Sequence, residues 1–276
     1  MIHKFPYEWK LQDGYPAKNG LKVFSTFACG GGSTMGYKLA GFDVIGANDI
    51  DPEMSKIYKI NHNPKHYYLC DIRKFNKLIE KNEVDRSLFR LDILDGSPPC
   101  STFSVAGSRE KSWGQKKKFR EGQARQVLDD LFFNFIETVR LLQPKVVIAE
   151  NVKGMLIGNA KGYLIEIKQL FIQAGYDVQL FLLNASRMGV PQRRERVFFI
   201  ARRKDLNLPK VSFSFNEPVI TYGDIEKIAS SDNLVKAIYK VDDNRWSRVQ
   251  PGKDYSSIKK VSSDMRKSPI ISQCLL

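Results

Sequence analysis

A cysteine on a stiff turn, a carboxylate and two arginines are the side chains here best suited to covalent chemistry. Cys100 ends the run Gly96-Ser97-Pro98-Pro99-Cys100, behind the apolar stretch Leu91-Asp92-Ile93-Leu94-Asp95. Two prolines cannot continue a helix or donate into a central ladder, so a strand must stop and turn there. A thiol so placed has a defined direction, and its thiolate is a nucleophile. A small cysteine behind a strand serves equally well as inert filler. Glu150 closes a second buried-strand pattern, Lys145-Val146-Val147-Ile148-Ala149. Its carboxyl suits acid or base work, or is simply a surface acid at a strand end. Arg194 and Arg196 alternate within Gln192-Arg193-Arg194-Glu195-Arg196, so an extended backbone puts them on one face. They form an anion and carbonyl clamp if that face is a cleft, and solvated edge charges if it is not.

The charge balance directs this chemistry toward a polyanion. Lys and Arg number 44 against 30 Asp and Glu, a formal net charge of +14. Such an excess favours nucleic acid first and an anionic membrane second, or serves solubility alone. Clustering favours nucleic acid, because Arg109, Lys111, Lys116, Lys117, Lys118 and Arg120 crowd the segment after Cys100, among Gly107, Gly114 and Gly122. Phosphate binding by a basic loop there would close it over a target beside the thiol.

A second constellation suits a small ligand. Cys29-Gly30-Gly31-Gly32-Ser33 lies between an apolar run, residues 21–27, and a short helix carrying Met35, Tyr37 and Leu39. Glycines there let the backbone approach a ligand, and the helix N-terminus offers N–H groups. Phosphate, dinucleotide and nucleoside binders all use such a turn, but no Gly-Lys-Ser/Thr follows, which excludes a phosphate loop. Asp49 ends a second strand, residues 42–48, where an acid accepts hydrogen bonds from ribose hydroxyls. Asp51, with Pro52 behind it, suits a helix N-cap.

The elements that must position these groups alternate strand and helix. Further strands are expected at residues 66–69, ending at Cys70-Asp71-Ile72, and at 91–95, 145–149, 177–183 and 197–201, the last antiparallel to its predecessor. Helices are expected at 53–60, 127–142 and 156–174; the apolar stripe of the second, including Leu131, is core. The pattern predicts a mostly parallel α/β sheet with its chemistry at the carboxyl edge. Residues 1–20 read as an extension, 21–204 as the domain that carries the chemistry, and 205–276, irregular and rich in Pro, Ser, Asp and Lys, as a small irregular domain or the first part of one. No apolar run approaches the roughly 18–20 residues of a membrane span, and the N-terminus lacks a signal-peptide core, which predicts a cytoplasmic protein. Four cysteines, Cys29, Cys70, Cys100 and Cys274, without a CxxC pair, and three histidines, His3, His62 and His66, argue against a disulfide scaffold or a metal site.

In their order these segments resemble the cytosine-C5 DNA methyltransferase family. Thr26-Phe27-Ala28-Cys29-Gly30-Gly31-Gly32 is similar to its cofactor motif and Ser97-Pro98-Pro99-Cys100 to its catalytic motif. Glu150-Asn151-Val152 and Gln192-Arg193-Arg194-Glu195-Arg196 match two more. The resemblance implies a Rossmann-like S-adenosylmethionine-dependent methyltransferase fold, seven-stranded with an antiparallel last strand. It makes residues 21–204 a catalytic domain and 205–276 a partial target-recognition region. It also implies S-adenosylmethionine near Phe27, Ala28, Gly30, Gly31 and Gly32. Asp49 would hold the ribose, Ile50 cover the adenine, and Asp71 reach the adenine amine, with Ile72, Pro99 and Leu131 around the pocket. The partner implied is double-stranded DNA with a flipped cytosine: Cys100 adds to C6, Glu150 and Arg196 hold the base, and Arg194 supports the loop. Ser101, Ser104 and the basic-loop cations would contact DNA, and no metal is required.

Three residues depart from the pattern: Cys29 stands at the first glycine of the loop, Ser101 at the usual glutamine, and Asp49 at the usual glutamate. After residue 201 neither the arginine- and glutamine-rich motif nor the final Gly-Asn motif is found. The expectation is therefore a restriction–modification enzyme split over two polypeptides, or a truncated, catalytically silent DNA-binding chain. A tRNA cytosine-5 methyltransferase shares the fold, whereas an NAD-linked oxidoreductase leaves Cys100 and residues 192–196 unexplained.

Overall fold

The computed structural model describes residues 13–99, 130–156 and 160–220. The chain divides into two compact units, Met1–Pro218 and Val219–Leu276; of the second, only Val219 and Ile220 are described.

Seven strands form one sheet: β1 Lys22–Thr26, β2 Asp43–Asp49, β3 His66–Leu69, β4 Ile93–Gly96, β5 Val146–Val152, β6 Tyr176–Asn184 and β7 Glu195–Arg203. Their order is β3-β2-β1-β4-β5-β7-β6. The first five run parallel, and β7 is antiparallel to β6, as the sequence pattern predicts, and also to β5, between which and β6 it lies. From β1 the chain proceeds outward to β2 on one side, while β4 pairs with β1 on the other. That switch opens a crevice beyond the carboxyl ends of β1 and β4, where the glycine turn and the Pro-Pro turn both leave the sheet.

The helices are α1 Gly32–Leu39, α2 Pro52–His62, α3 Ile72–Glu80, α4 Leu131–Leu142 and α5 Ala160–Gln173. One face of the sheet, through Phe24, Leu94 and Val147, buries residues of α3, α4 and α5. The large side chains of this core, among them Phe75, Phe132, Phe135 and Phe171, are fully buried, each contributing about 1.5–3 kcal/mol. On the other face a smaller cluster joins Ala28 and Ala47 to Tyr58 of α2.

Local chemistry explains most boundaries. Asp51 caps α2, accepting from the Glu53 and Met54 N–H groups at 2.9 and 3.1 Å, with Pro52 at the first helical position. Strand β5 continues through Glu150, Asn151 and Val152 because β7 pairs along its whole length, Val152 facing Arg196. Helix α5 starts at Ala160, after a single 3₁₀ turn over Lys153–Leu156. Helix α3 has no counterpart among the expected elements. Ile72 does not trail a strand; it opens a helix capped by Asp71, which accepts from the Arg73 N–H at 2.7 Å. Among the described residues no helix is long and apolar enough to cross a membrane.

Candidate active site

Two clusters form at the carboxyl edge, one on each side of the β1/β4 switch. The first lies on β4, β5 and β7. Strands β4 and β5 are parallel neighbours, Gly96 facing Ala149, so the segments leaving them emerge together. Asn151, 4% exposed, donates from Nδ2 to the Pro98 carbonyl at 3.0 Å and accepts the Val152 N–H at 2.8 Å. Its amide pins the start of the Pro-Pro turn to the strand that bears Glu150. Arg196 Nε lies 2.8 Å from Glu150 Oε1, both side chains about three-quarters buried. Glu195, next along β7, pairs instead with Lys153 at 2.7 Å, as alternation along a strand requires. Arg194 precedes β7; desolvation first, then the Arg196 charge, lower its pKa, and the Glu150 charge opposes them. The two arginines thus lie in one electrostatic neighbourhood with Glu150. Pro99 is half-buried on the turn. Cys100, Ser101, Ser104, Arg109, Lys111, Lys116, Lys117, Lys118 and Arg120 lie outside the described residues.

The second cluster surrounds the glycine turn. Within five residues Phe27, Cys29 and Gly31 adopt φ of 54°, 48° and 93°, a left-handed run that costs a non-glycine residue most. Cys29, exposed, occupies such a position where the family resemblance expects glycine. The turn is held by an acid on the next strand: Asp49 Oδ2 accepts the Cys29 N–H at 2.7 Å, and Oδ1 the Asp51 N–H at 2.8 Å. Desolvation nevertheless outweighs these bonds and raises the Asp49 pKa. Gly31 is the N-cap of α1, and no side chain caps that helix, which leaves its positive end for a ligand. A Cβ at Gly31 would lie 2.1 Å from His62 Nε2, so only glycine fits. Gly30 and Gly32 flank it, and Ala28, 6% exposed, donates its N–H to the Asn48 carbonyl at 3.3 Å. Ile50 is exposed beside Asp49, a free apolar surface next to a carboxylate. A bare helix N-terminus, a close-packed glycine backbone, a carboxylate and an apolar platform form a donor set that fits S-adenosylmethionine.

Phe27 packs half-buried against the core, and Ile72 and Leu131 belong to the core itself. Asp71 is engaged with the Arg73 N–H and, at 2.9 Å, with its guanidinium.

Two polar residues at this edge escaped the sequence reading. Asn151 was visible only as the centre of a motif. Asp95, 6% exposed, accepts from Ser25 Oγ and Ser33 Oγ, each at 2.8 Å, and from the Tyr37 hydroxyl at 3.3 Å. It stitches β1, α1 and β4 together beneath both clusters. Burial raises its pKa despite these three bonds, and the Glu150 charge adds to the rise. Its signal was an acid inside an otherwise apolar strand.

The seven-stranded sheet, parallel except for β7, is the fold of S-adenosylmethionine-dependent methyltransferases. Residues 21–270 match the model for the C-5 cytosine-specific DNA methylase family, and the chain belongs to that family. It is 35% identical over 227 residues to the type II methyltransferase M.NgoPII of Neisseria gonorrhoeae, covering 80% of this chain and 59% of that protein. With M.FnuDI of Fusobacterium nucleatum it shares 36% over 195 residues, 71% of this chain and 51% of the relative. The chain therefore spans little more than half the length of these relatives. Among solved structures it is similar to a prophage-encoded E. coli protein, with a TM-score of 0.56 at 27% identity over 74% of this chain and 54% of that one. A Spodoptera frugiperda DNMT2 variant, with a TM-score of 0.54 at 23% identity over 77% of this chain and 60% of its own, shares the fold.

Proposed function

We propose that this chain carries the catalytic domain of a DNA cytosine-5 methyltransferase of the type II restriction–modification kind, acting on a cytosine flipped from duplex DNA. The single observation that carries this reading is the Glu150–Arg196 pair at 2.8 Å, on the strand whose Asn151 holds the Pro98 carbonyl at 3.0 Å. Those contacts gather the carboxyl, the guanidinium and the turn leading to Cys100 at one edge.

Carbon C5 of cytosine is a weak nucleophile. The Cys100 thiolate adds to C6 and makes C5 enamine-like. Arg196 orients the Glu150 carboxyl, which offers a proton to ring N3 and accepts from the exocyclic amine, stabilising charge as sulfur adds. Arg196 and Arg194 supply cationic donors toward the base oxygen and the turn. S-adenosylmethionine, when bound, supplies the electrophilic methyl group. Gly30–Gly32 and Asp49 would hold it. Loss of the C5 proton then expels the Cys100 thiolate. The cations of residues 109–120 would neutralise backbone phosphates of the bound DNA. The four matching motifs and the type II names of the relatives support this reading, and a second polypeptide supplying further target-recognition elements is compatible with it.

The test is methyl transfer from labelled S-adenosylmethionine to duplex DNA and, in parallel, to tRNA. Wild type should place 5-methylcytosine in duplex DNA, and Cys100→Ala should place none. Transfer that survives Cys100→Ala, or goes only to tRNA, overturns the reading.

A further inference from the structure

The last residue of α2 lies under the cofactor turn although nothing in its sequence position suggests a role there. His62 is 8% exposed. Its ring is 4.8 Å from that of Tyr58, whose hydroxyl is 2.8 Å from Thr34 Oγ1 of α1. On its other side the ring touches the turn: a Cβ built on Gly31 would lie 2.1 Å from Nε2 and 2.3 Å from Cδ2. We infer that His62 is a positioning residue for the cofactor turn, its uncharged ring forming the floor on which Gly30 and Gly31 rest. The inference builds on the reading of this turn as the S-adenosylmethionine site.

The uncharged state follows from the surroundings. A protonated imidazole must donate from both nitrogens, yet Nδ1 is buried without a hydrogen-bond partner. The groups around the ring offer an added charge no welcome. Lys38 of α1 donates to the His62 carbonyl at 2.8 Å. Lys18 and Tyr15 from the segment before β1, Lys22 from β1, Lys65 from the α2–β3 connection, and Asp43 from β2 line the cleft of about 320 Å³ that His62 borders. Asp43, the one carboxylate among them, is already paired with Lys18. Desolvation first, and the Lys38 charge second, lower the His62 pKa, while backbone hydrogen bonding at Gly30 and Gly31 opposes them. Protonation therefore requires the ring to shift, and the turn above it to lose its floor. Cofactor affinity should be full above the ordinary histidine range near 6.5 and fall as pH drops below it.

Two measurements decide this. S-adenosylmethionine binding is followed by calorimetry from pH 5 to 8 in wild type, His62→Phe and His62→Gln. Phenylalanine keeps the ring without the proton, and glutamine keeps a neutral polar group if phenylalanine fails to fold. Wild type should weaken more steeply than either variant as pH falls from 7.5 to 5, by a factor approaching ten for each unit the pH lies below the His62 titration. Asp49 titrates in all three proteins and cancels in the comparison. Independently, NMR of the cofactor-free chain should show the Gly30 and Gly31 amides following the His62 ring in wild type, and in the variants only the Asp49 titration that all three proteins share. Glycine amides that ignore the His62 titration, or equal acid weakening in all three proteins, overturn the inference. If wild type binds no S-adenosylmethionine while the amides follow His62, the function proposed above fails and the floor role stands.

Discussion

The two clusters at the carboxyl edge are built on opposite plans. Around the glycine turn the backbone carries the contacts: Asp49 accepts two main-chain N–H groups, and the glycines shape the surface. Around β5 and β7, side chains hold side chains or a turn, through Arg196 on Glu150 and Asn151 on the Pro98 carbonyl. A backbone-built site tolerates substitution except where a residue has no room or no alternative φ. A site built from side chains fails when any partner is shortened. Damage on one side should therefore reach chemistry without binding, and on the other binding before chemistry.

The largest effect tests the first half of that statement. Cys100→Ala should lower methyl transfer by roughly 10³-fold or more and leave S-adenosylmethionine affinity within about twofold, measured by labelled transfer and by calorimetry. Glu150→Gln should lower single-turnover transfer by roughly 10²–10⁴-fold, again without loss of cofactor. Asn151→Ala frees the Pro98 carbonyl and should cost about 10²-fold through misplacement of the turn. A parallel loss of cofactor affinity in that variant would mean that the two clusters are one unit. On the other side, Asp49→Ala should weaken S-adenosylmethionine by roughly 10–100-fold, the worth of hydrogen bonds to a charged group.

The smallest effect concerns the residue beneath both. Asp95→Ala leaves three hydroxyls without their acceptor and should cost on the order of 1–3 kcal/mol in urea unfolding. Asp95→Asn should differ in its pH dependence. Burial raises the folded-state pKa of Asp95 above the unfolded value, so the folded state holds the proton more tightly. Wild type therefore loses stability as pH rises from about 4 through the raised value. The asparagine variant lacks that loss, and urea titrations at pH 4 and pH 7 check it.

These plans also decide what was legible beforehand. The strands and the order of the functional segments follow from apolar runs that end in Gly, Pro or acid, and β3 lies at the expected residues. Asp51 was legible as a cap because its partners are two and three residues away. Helix α3 was equally local, with Ile72, Phe75 and Ile79 buried at helical spacing, but a strand ending at Cys70-Asp71-Ile72 absorbed its first turn. The bond from Asn151 to Pro98 spans 53 positions and that from Ser25 to Asp95 spans 70. No periodicity encodes such pairs. Only the sheet order, β1 beside β4 and β4 beside β5, brings them together. His62 at the end of α2 is the same case, since its neighbour Gly31 lies on another element.

Strand β7 runs against its neighbours, so it begins at the carboxyl edge, and seven consecutive pairs from Val146–Arg202 to Val152–Arg196 lock it to β5. A slip of one residue along that ladder would turn every β7 side chain to the opposite face. Arg196 would leave Glu150, with Glu195 or Val197 drawn into its place. Much of the backbone hydrogen bonding would survive the slip, giving a chain that folds and has lost its chemistry. The turn at residues 189–194 thus works as a spacer whose length keys the arginine to the acid, and an insertion or deletion there is a more drastic change than most substitutions in the sheet.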